Sequence, residues 1–129
     1  MVNRADGLAV SEIKKLGIRQ IIISTEKNFV VSARAKKLKI ECFQNISNKE
    51  NTLIELCQNS GISLKNVLFI GNDINDKTAM ERVGIRMCPS DAHEQIKVIS
   101  DFVFKKRGGY GVIRELLDHL TSSHAKNKF

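Results

Sequence analysis

The stretch that decides the fold is residues 67–76, Val-Leu-Phe-Ile-Gly-Asn-Asp-Ile-Asn-Asp. Its apolar first half predicts a buried strand, and its second half places an acidic cluster directly after that strand. Ligands of open α/β sheets bind where the strands end. Carboxylate and amide oxygens are hard ligands of the kind that Mg2+ takes. The stretch therefore holds a candidate Mg2+ site among Asn72, Asp73, Asn75 and Asp76; alternatively, one of these residues caps the next helix.

Short apolar segments alternate with helical patterns along the whole chain. We predict strands at residues 20–24, 41–44, 66–70, 86–88 and 101–104, and helices at 6–16, 28–38, 49–59, 75–83, 92–99 and 110–120. Such alternation is typical of a mainly parallel sheet covered by helices on both faces. We therefore expect one α/β domain, a Rossmann-like three-layer sandwich over residues 1–121, followed by a polar, disordered tail over residues 122–129.

The composition suits one ordinary domain and narrows the classes of partner. The 129 residues are 42% hydrophobic and carry a net charge of +7, which suits an anionic partner or is simply a solvated basic surface. Three separated cysteines without Cys-x-x-Cys spacing predict reduced thiols and a cytoplasmic protein. No apolar run approaches the ~20 residues of a membrane helix. Aromatic residues make up only 5%, so the basic cluster at residues 34–39 does not predict nucleic-acid binding.

Two further segments offer groups that suit a phosphate. Ser24 and Thr25 stand where the first predicted strand ends, and a hydroxyl there can donate to a phosphate oxygen or cap a helix. Lys49 stands at the start of a predicted helix, where a cation is slightly unfavourable with the helix dipole. A bound anion would explain this lysine; alternatively, it is an ordinary exposed side chain.

The order of these motifs resembles the haloacid dehalogenase (HAD) superfamily of phosphohydrolases, and within it the cap-less branch. That branch includes 3-deoxy-manno-octulosonate (KDO) 8-phosphate phosphatases and the phosphatase-like domain of acylneuraminate (sialic acid) cytidylyltransferases. The resemblance spans most of the chain. It rests on residues 4–8, 23–28, 33–38, 47–49, 71–76, 90–93 and 108–115.

The resemblance implies a role for each candidate residue. Ser24, with Thr25 beside it, would bind the transferring phosphoryl group, and Lys49 would be the catalytic lysine that neutralises the phosphate and the nucleophile. Asn72, Asp73 and Asp76 would hold Mg2+. Many relatives have an aspartate where this chain has Asn72, so the uncharged amide should weaken Mg2+ binding. The loop at residues 108–111 would lie near the active site and a subunit interface.

One departure from the family pattern is large. The family mechanism uses an Asp-x-Asp motif at the end of the first, central strand, whose first aspartate attacks phosphorus. These 129 residues contain no Asp-x-Asp. The resemblance therefore implies a HAD-like fold with its first strand missing, so that residues 20–24 and 66–70 either flank a gap or pair directly.

Two functions follow as expectations. The first is a Mg2+-dependent phosphatase-type domain for a phosphorylated acidic sugar, inactive alone because the aspartate nucleophile is absent. The second is a non-catalytic oligomerisation or regulatory module, a homotetramer partnered with a cytidylyltransferase. Neither a nucleic acid nor a membrane is expected as a partner.

Overall fold

The computed structural model describes residues 4–108 and 111–126, and within them helices and strands alternate as predicted. The strands are β1 (Ile21–Ile23), β2 (Glu41–Phe43), β3 (Leu68–Ile70), β4 (Ile85–Cys88) and β5 (Phe102–Val103). The helices are α1 (Arg4–Lys15), α2 (Val30–Leu38), α3 (Lys49–Ser60), α4 (Lys77–Met80), α5 (Glu94–Ile99) and α6 (Val112–Lys126). Short 3-10 turns lie at Leu64–Asn66 and Ile74–Asp76.

The strands form two separate parallel sheets instead of one. β1 pairs with β2, while β3, β4 and β5 form a second sheet in that order. Within the described residues, no strand joins β1 to β3. Of the two arrangements that the sequence left open, the gap is therefore the one observed.

Helices cover the three-stranded sheet on both faces, which makes three layers. Side chains alternate between the faces of a strand. On one face, Leu68 and Ile70 of β3 pack with residues of α1 and α6 such as Ile13 and Leu116. On the other face, Phe69 packs with a cluster that includes Leu53 of α3. The predicted α/β sandwich is confirmed.

The burial of α1 differs from the sequence expectation. The helical spacing of Leu8, Ile13 and Leu16 predicts that they lie near one face of α1, but only Ile13 is buried, with 1% of its surface exposed. Leu8 is 62% exposed and Leu16 is 53% exposed, whereas Ala9 is fully buried. Ala9 and Ile13 pack in the cluster that contains Leu116 and Leu117 of α6, because close helix packing selects for fit as well as for hydrophobicity.

Several helix boundaries also differ from the predicted ones, for local reasons. α2 begins at Val30 instead of residue 28, and its first N–H group donates to the side chain of Asn28 at 3.0 Å. α4 is short because Ile74–Asp76 forms a 3-10 turn. α3 ends at Ser60, one residue beyond the predicted end, and Gly61 caps it with a left-handed φ of 67° that glycine accepts at little cost.

The C-terminal helix extends beyond the predicted end at residue 120. α6 continues to Lys126 and so covers part of the segment 122–129 for which a disordered tail is expected. Residues 127–129 lie outside the described residues, and there the expectation stays a prediction.

Candidate active site

A buried ion pair lies at the centre of the candidate site. The Nζ atom of Lys49 donates to Oδ1 of Asp76 at 2.7 Å, and the two side chains are only 12% and 3% exposed. The other oxygen of Asp76, Oδ2, accepts the backbone N–H groups of Asn72 and Asp73 at 2.9 and 3.1 Å. Among the described residues, Asp76 is the one polar or charged residue that is fully buried.

The two partners come from opposite sides of the gap. Lys49 is the first residue of α3, which follows β2, and Asn48 caps that helix by accepting the N–H group of Asn51 at 3.0 Å. Asp76 ends the 3-10 turn that follows β3. Because the pair joins the segment after β2 to the segment after β3, the carboxyl ends of the two sheets lie at the same edge.

The pair explains why a lysine starts α3. Of the two alternatives from the sequence, the exposed side chain is wrong, because Lys49 is largely buried and its charge is balanced within the protein by Asp76. The binding of an anion by Lys49 stays a prediction. A buried charge needs such a partner, since removing one member of a buried pair leaves the other uncompensated.

Gly71 allows this arrangement because nothing larger fits beside Asp76. A Cβ atom at residue 71 would lie 2.8 Å from the Cβ of Asp76 and 2.5 Å from the sulfur of Met80. Gly71 is therefore required for the close packing of Asp76 and Met80 against the backbone of the site.

The side chains of Asn72 and Asp73 remain at the surface of the site. Both residues are exposed, and the backbone carbonyl of Asn72 accepts the N–H group of His93 at 2.9 Å, which ties this loop to the start of α5. His93 itself caps α5, with its Nδ1 accepting the N–H group of Gln95 at 3.1 Å. Hydrogen bonds to Asp76 on one side and to His93 on the other therefore hold the backbone of Asn72 and Asp73.

The described residues fit a divalent cation only in part. No group of three or more His, Cys, Asp or Glu side chains lies close enough to hold a metal within residues 4–108 and 111–126. Both oxygens of Asp76 are already engaged, one of them by an ammonium group. Asn72 and Asp73 supply one neutral and one charged oxygen ligand, which suits Mg2+ only if water or further groups complete its shell.

Ser24 lies where the sequence places it, at the end of β1. Its N–H group donates to the carbonyl of Phe43 at 2.9 Å, and its carbonyl accepts from Ile46 at 3.0 Å, three residues before Lys49. Its Oγ accepts the N–H group of Glu26 at 3.0 Å, so the hydroxyl closes a turn and does not cap α2. Thr25 is exposed. Ser24 therefore lies at the same edge of the fold as Lys49.

A cleft opens beside the acidic cluster. It measures about 330 Å³ and lies at the carboxyl ends of β3 and β4. Its lining consists of Ile70, Gly71, Asn72, Pro89, Gly108, Val112 and Ile113. Pro89, Val112 and Ile113 could not be identified as lining residues from the sequence, because apolar side chains carry no chemical signature of a site.

Asp91 positions Gly108, which lines this cleft on the side of the loop before α6. Its Oδ1 accepts the N–H group of Gly108 at 2.9 Å, and Arg107 lies 3.6 Å from Oδ2. The hydrogen bond from Gly108, with a smaller effect of Arg107, lowers the pKa of Asp91 below its ordinary value. Asp91 belongs to the motif at residues 90–93, but its partner could not be read from the sequence. Residues 109 and 110 of the predicted loop lie outside the described residues.

Comparison with known protein families identifies the family to which the chain belongs. The sequence model of the haloacid dehalogenase-like hydrolases matches residues 8–116, which include the whole site. The chain belongs to this family. The resemblance inferred from the order of the motifs is therefore confirmed.

Individual relatives point to one branch of the family. The chain is 31% identical to the 3-deoxy-D-manno-octulosonate 8-phosphate phosphatase of Escherichia coli K12 over 125 residues, 96% of this chain and 66% of the relative. It spans slightly less than two thirds of the length of that enzyme. The relationship to KDO 8-phosphate phosphatases is thus established for the part of the enzyme that is matched.

Solved structures agree with the sequence comparison. The cobalt-bound deoxy-D-mannose-octulosonate 8-phosphate phosphatase of Haemophilus influenzae superposes with a TM-score of 0.88 at 25% identity, covering 96% of this chain and 73% of that one. The Moraxella catarrhalis enzyme, in complex with magnesium, phosphate and KDO, gives 0.84 at 27% identity, covering 98% and 83%. The HAD-like fold is confirmed.

None of the described helices is long and apolar enough to cross a membrane.

We predict that Lys49 and Asp76 are strongly coupled in stability. Asp76→Asn should lower the free energy of unfolding by about 3–5 kcal/mol, because it leaves the Lys49 ammonium buried without a countercharge. Adding Lys49→Met should recover part of the loss. A double-mutant cycle from chemical denaturation measures this coupling.

The exposed pair Arg82–Glu50, with Nε and Oε2 2.7 Å apart, provides the matched control. Glu50→Gln should cost less than about 1 kcal/mol, as expected for pairs near the surface. Equal losses for Asp76→Asn and Glu50→Gln would contradict the buried role of the Lys49–Asp76 pair.

Proposed function

We propose that this chain carries the phosphate- and metal-binding half of a Mg2+-dependent phosphatase site. The observation that supports it is the buried Lys49–Asp76 pair at the carboxyl edge of the sheets, with Ser24 at the same edge and Asn72 and Asp73 beside it. This edge is where ligands bind in open α/β sheets.

Lys49 and Ser24 are the proposed phosphate ligands. A lysine ammonium has three N–H donors, and the bond to Asp76 uses one of them, so others can meet a phosphate oxygen. Ser24 accepts a hydrogen bond through Oγ and keeps its own O–H donor for a phosphate. Thr25 is exposed next to it and offers a second hydroxyl. Lys49 would also be the catalytic group that neutralises charge during transfer.

Asn72 and Asp73 are the proposed ligands of Mg2+, and Asp76 acts mainly by positioning them. Asp76 accepts the N–H groups of both residues, so its carboxylate holds the loop that carries their side chains. The bound cation would neutralise charge on the phosphate. The resemblance also assigned Asp76 as a ligand; its engaged oxygens favour the indirect role.

The nucleophile of the proposed reaction is not among these residues. The 129 residues contain no Asp-x-Asp, and each described carboxylate of the site is engaged or lies in the metal-binding loop. We therefore propose that this chain alone does not complete phosphoryl transfer. The proposed substrate class is a phosphorylated acidic sugar, since the related enzymes are named for KDO 8-phosphate and one of them is bound to KDO.

A second candidate function is a non-catalytic module that forms a homotetramer and serves a sialic acid cytidylyltransferase. The neutral Asn72 favours it, because the metal-binding loop then contributes a single exposed carboxylate, from Asp73. Large exposed apolar side chains also favour it: Leu8 is 62% exposed and Phe29 is 78% exposed. Such residues are often covered in an assembly.

We predict no turnover of KDO 8-phosphate or of other sugar phosphates by the purified chain with Mg2+. The physical reason is that no positioned carboxylate is available to attack phosphorus. Phosphate release measured against the Lys49→Met variant sets the background. Turnover above that background would refute the proposed lack of a nucleophile.

We predict that Asn72→Asp strengthens Mg2+ binding by about tenfold or more, equivalent to ~1.4 kcal/mol, because it adds a charged ligand. Titration calorimetry with Mg2+ measures the change without any dependence on activity. Asn75→Asp adds the same charge at a neighbouring exposed position and should change the affinity much less. If both variants gained equally, a general electrostatic effect would replace the proposed site.

We predict a tetrameric mass in solution if the module function is correct. Light scattering coupled to size-exclusion chromatography provides the measurement, and Phe29→Ser with Leu8→Ser should reduce the mass by removing exposed apolar contacts. Glu12→Ser on α1 is the polar control. A monomer at every concentration would count against the module.

A further inference from the structure

The loop between β1 and α2 is held to the segment that follows β2. We call it the Ser24 loop, defined by residues 24–28. Asn45 donates its backbone N–H group to the carbonyl of Glu26 at 2.8 Å, and Ile46 donates to the carbonyl of Ser24 at 3.0 Å. Backbone groups therefore hold the first half of the loop to its neighbouring segment.

The second half of the loop is held to the same segment by the side chain of Gln44, the residue directly after β2. Its Nε2 atom donates to the carbonyl of Lys27 at 3.3 Å and to the carbonyl of Asn28 at 3.1 Å. These partners define the orientation of the amide, because only its nitrogen can donate to two carbonyls. The side chain of Asn28 in turn accepts the first N–H group of α2 at 3.0 Å. Gln44 thus holds the loop where it joins α2.

The amide oxygen of Gln44 is buried and has no hydrogen-bond partner. Within residues 4–108 and 111–126, it is the one buried side-chain nitrogen or oxygen atom without a partner. A buried acceptor without a donor destabilises a fold, so such a group in a native protein needs an explanation. An apolar side chain of similar length would avoid this cost but could not bridge the two carbonyls. Stability alone therefore does not account for a glutamine at this position.

The position of Gln44 supplies the explanation. The two carbonyls that it bridges belong to the same short loop as Ser24 and Thr25, the proposed phosphate ligands. Residues 25–28 are all exposed, and exposed loops with few buried contacts are mobile unless hydrogen bonds hold them. A ligand that must first order a mobile loop binds more weakly, because the loss of conformational entropy opposes binding.

We propose that Gln44 is a positioning residue of the phosphate site: its amide holds the Ser24 loop so that the hydroxyls of Ser24 and Thr25 meet a phosphate group. The inference rests on the proposed function. Gln44 acts through the loop and not on the ligand, since its two N–H donors are engaged and its oxygen is buried. The sequence shows Gln44 only as the last residue of the strand predicted at 41–44, because its partners lie 16 and 17 positions away.

The first test measures the binding of inorganic phosphate to the 129-residue chain in the presence of Mg2+. Proton–nitrogen correlation spectra recorded during the titration give the dissociation constant, and the amides of Ser24 and Thr25 report where phosphate binds. Gln44→Met removes the amide and keeps a similar side-chain length. This variant should bind phosphate at least about tenfold more weakly, equivalent to ~1.4 kcal/mol.

Gln20→Met is the matched control. Gln20 is also partly buried, and its Nε2 donates to the carbonyl of Val10 at 3.0 Å, at the opposite end of β1. This variant should keep the phosphate affinity of the unaltered chain. Gln44→Met should shift the midpoint of chemical denaturation no more than Gln20→Met does, because it also removes the unpaired buried oxygen.

Hydrogen exchange tests the loop in the absence of phosphate. The amides of Asn45 and Ile46 donate to the Ser24 loop, so they should exchange faster in Gln44→Met and at an unchanged rate in Gln20→Met. Gln44→Asn keeps an amide on a side chain that is too short to bridge both carbonyls. It should resemble Gln44→Met in both measurements, and it decides the question if Gln44→Met does not fold.

The possible outcomes separate this inference from the function on which it rests. Phosphate binding that is unchanged in the Gln44 variants, or weaker binding without faster exchange at Asn45 and Ile46, would overturn the role of Gln44 and leave the proposed function intact. An equal loss of affinity in Gln20→Met would also overturn it, since a general loosening of the fold would then explain the result. If the unaltered chain binds no phosphate, the proposed phosphate site fails, and the inference fails with it.

Discussion

The buried ion pair between Lys49 and Asp76 is the interaction on which the site and the overall arrangement depend. It joins the segment after β2 to the segment after β3, although no strand connects the two sheets among the described residues. Its carboxylate also holds the N–H groups of Asn72 and Asp73. One contact therefore aligns the sheets and positions the loop that we propose to bind Mg2+. A buried pair of this kind suits a single geometry, because either charge alone would be costly.

The Lys49–Asp76 pair matters for the fold because it connects segments that belong to two separate sheets. Because no strand joins β1 to β3 in the part of the chain that the structure describes, helical packing and the Lys49–Asp76 pair connect the two sheets. Within residues 4–108 and 111–126, no strand pairs with the edge of β1 or of β3 that faces the other sheet.

Much of the architecture could be predicted because it depends on local patterns. The apolar run before Gly71 forms β3, and Gly61 ends α3 with a left-handed conformation. Ser24 and the acidic loop also lie at strand ends, as predicted. The burial of Leu8 and the start of α2 were predicted incorrectly. The first depends on a contact with another element, because Ala9 and Ile13 occupy the surface that packs on α6. The second is a local effect, because the Asn28 side chain accepts the first amide of α2.

The sequence alone determined the order of the elements, the family and the identity of the polar groups at the strand ends, because these follow from periodicity and from short motifs. The tertiary structure decided how those groups are used. Lys49 and Asp76 are 27 positions apart, and only folding shows that they form a buried ion pair. The hydrogen bond between Asp91 and Gly108 and the separation of the two sheets were also decided by the tertiary structure. Both depend on distances between segments that are far apart in the sequence, which no local pattern encodes.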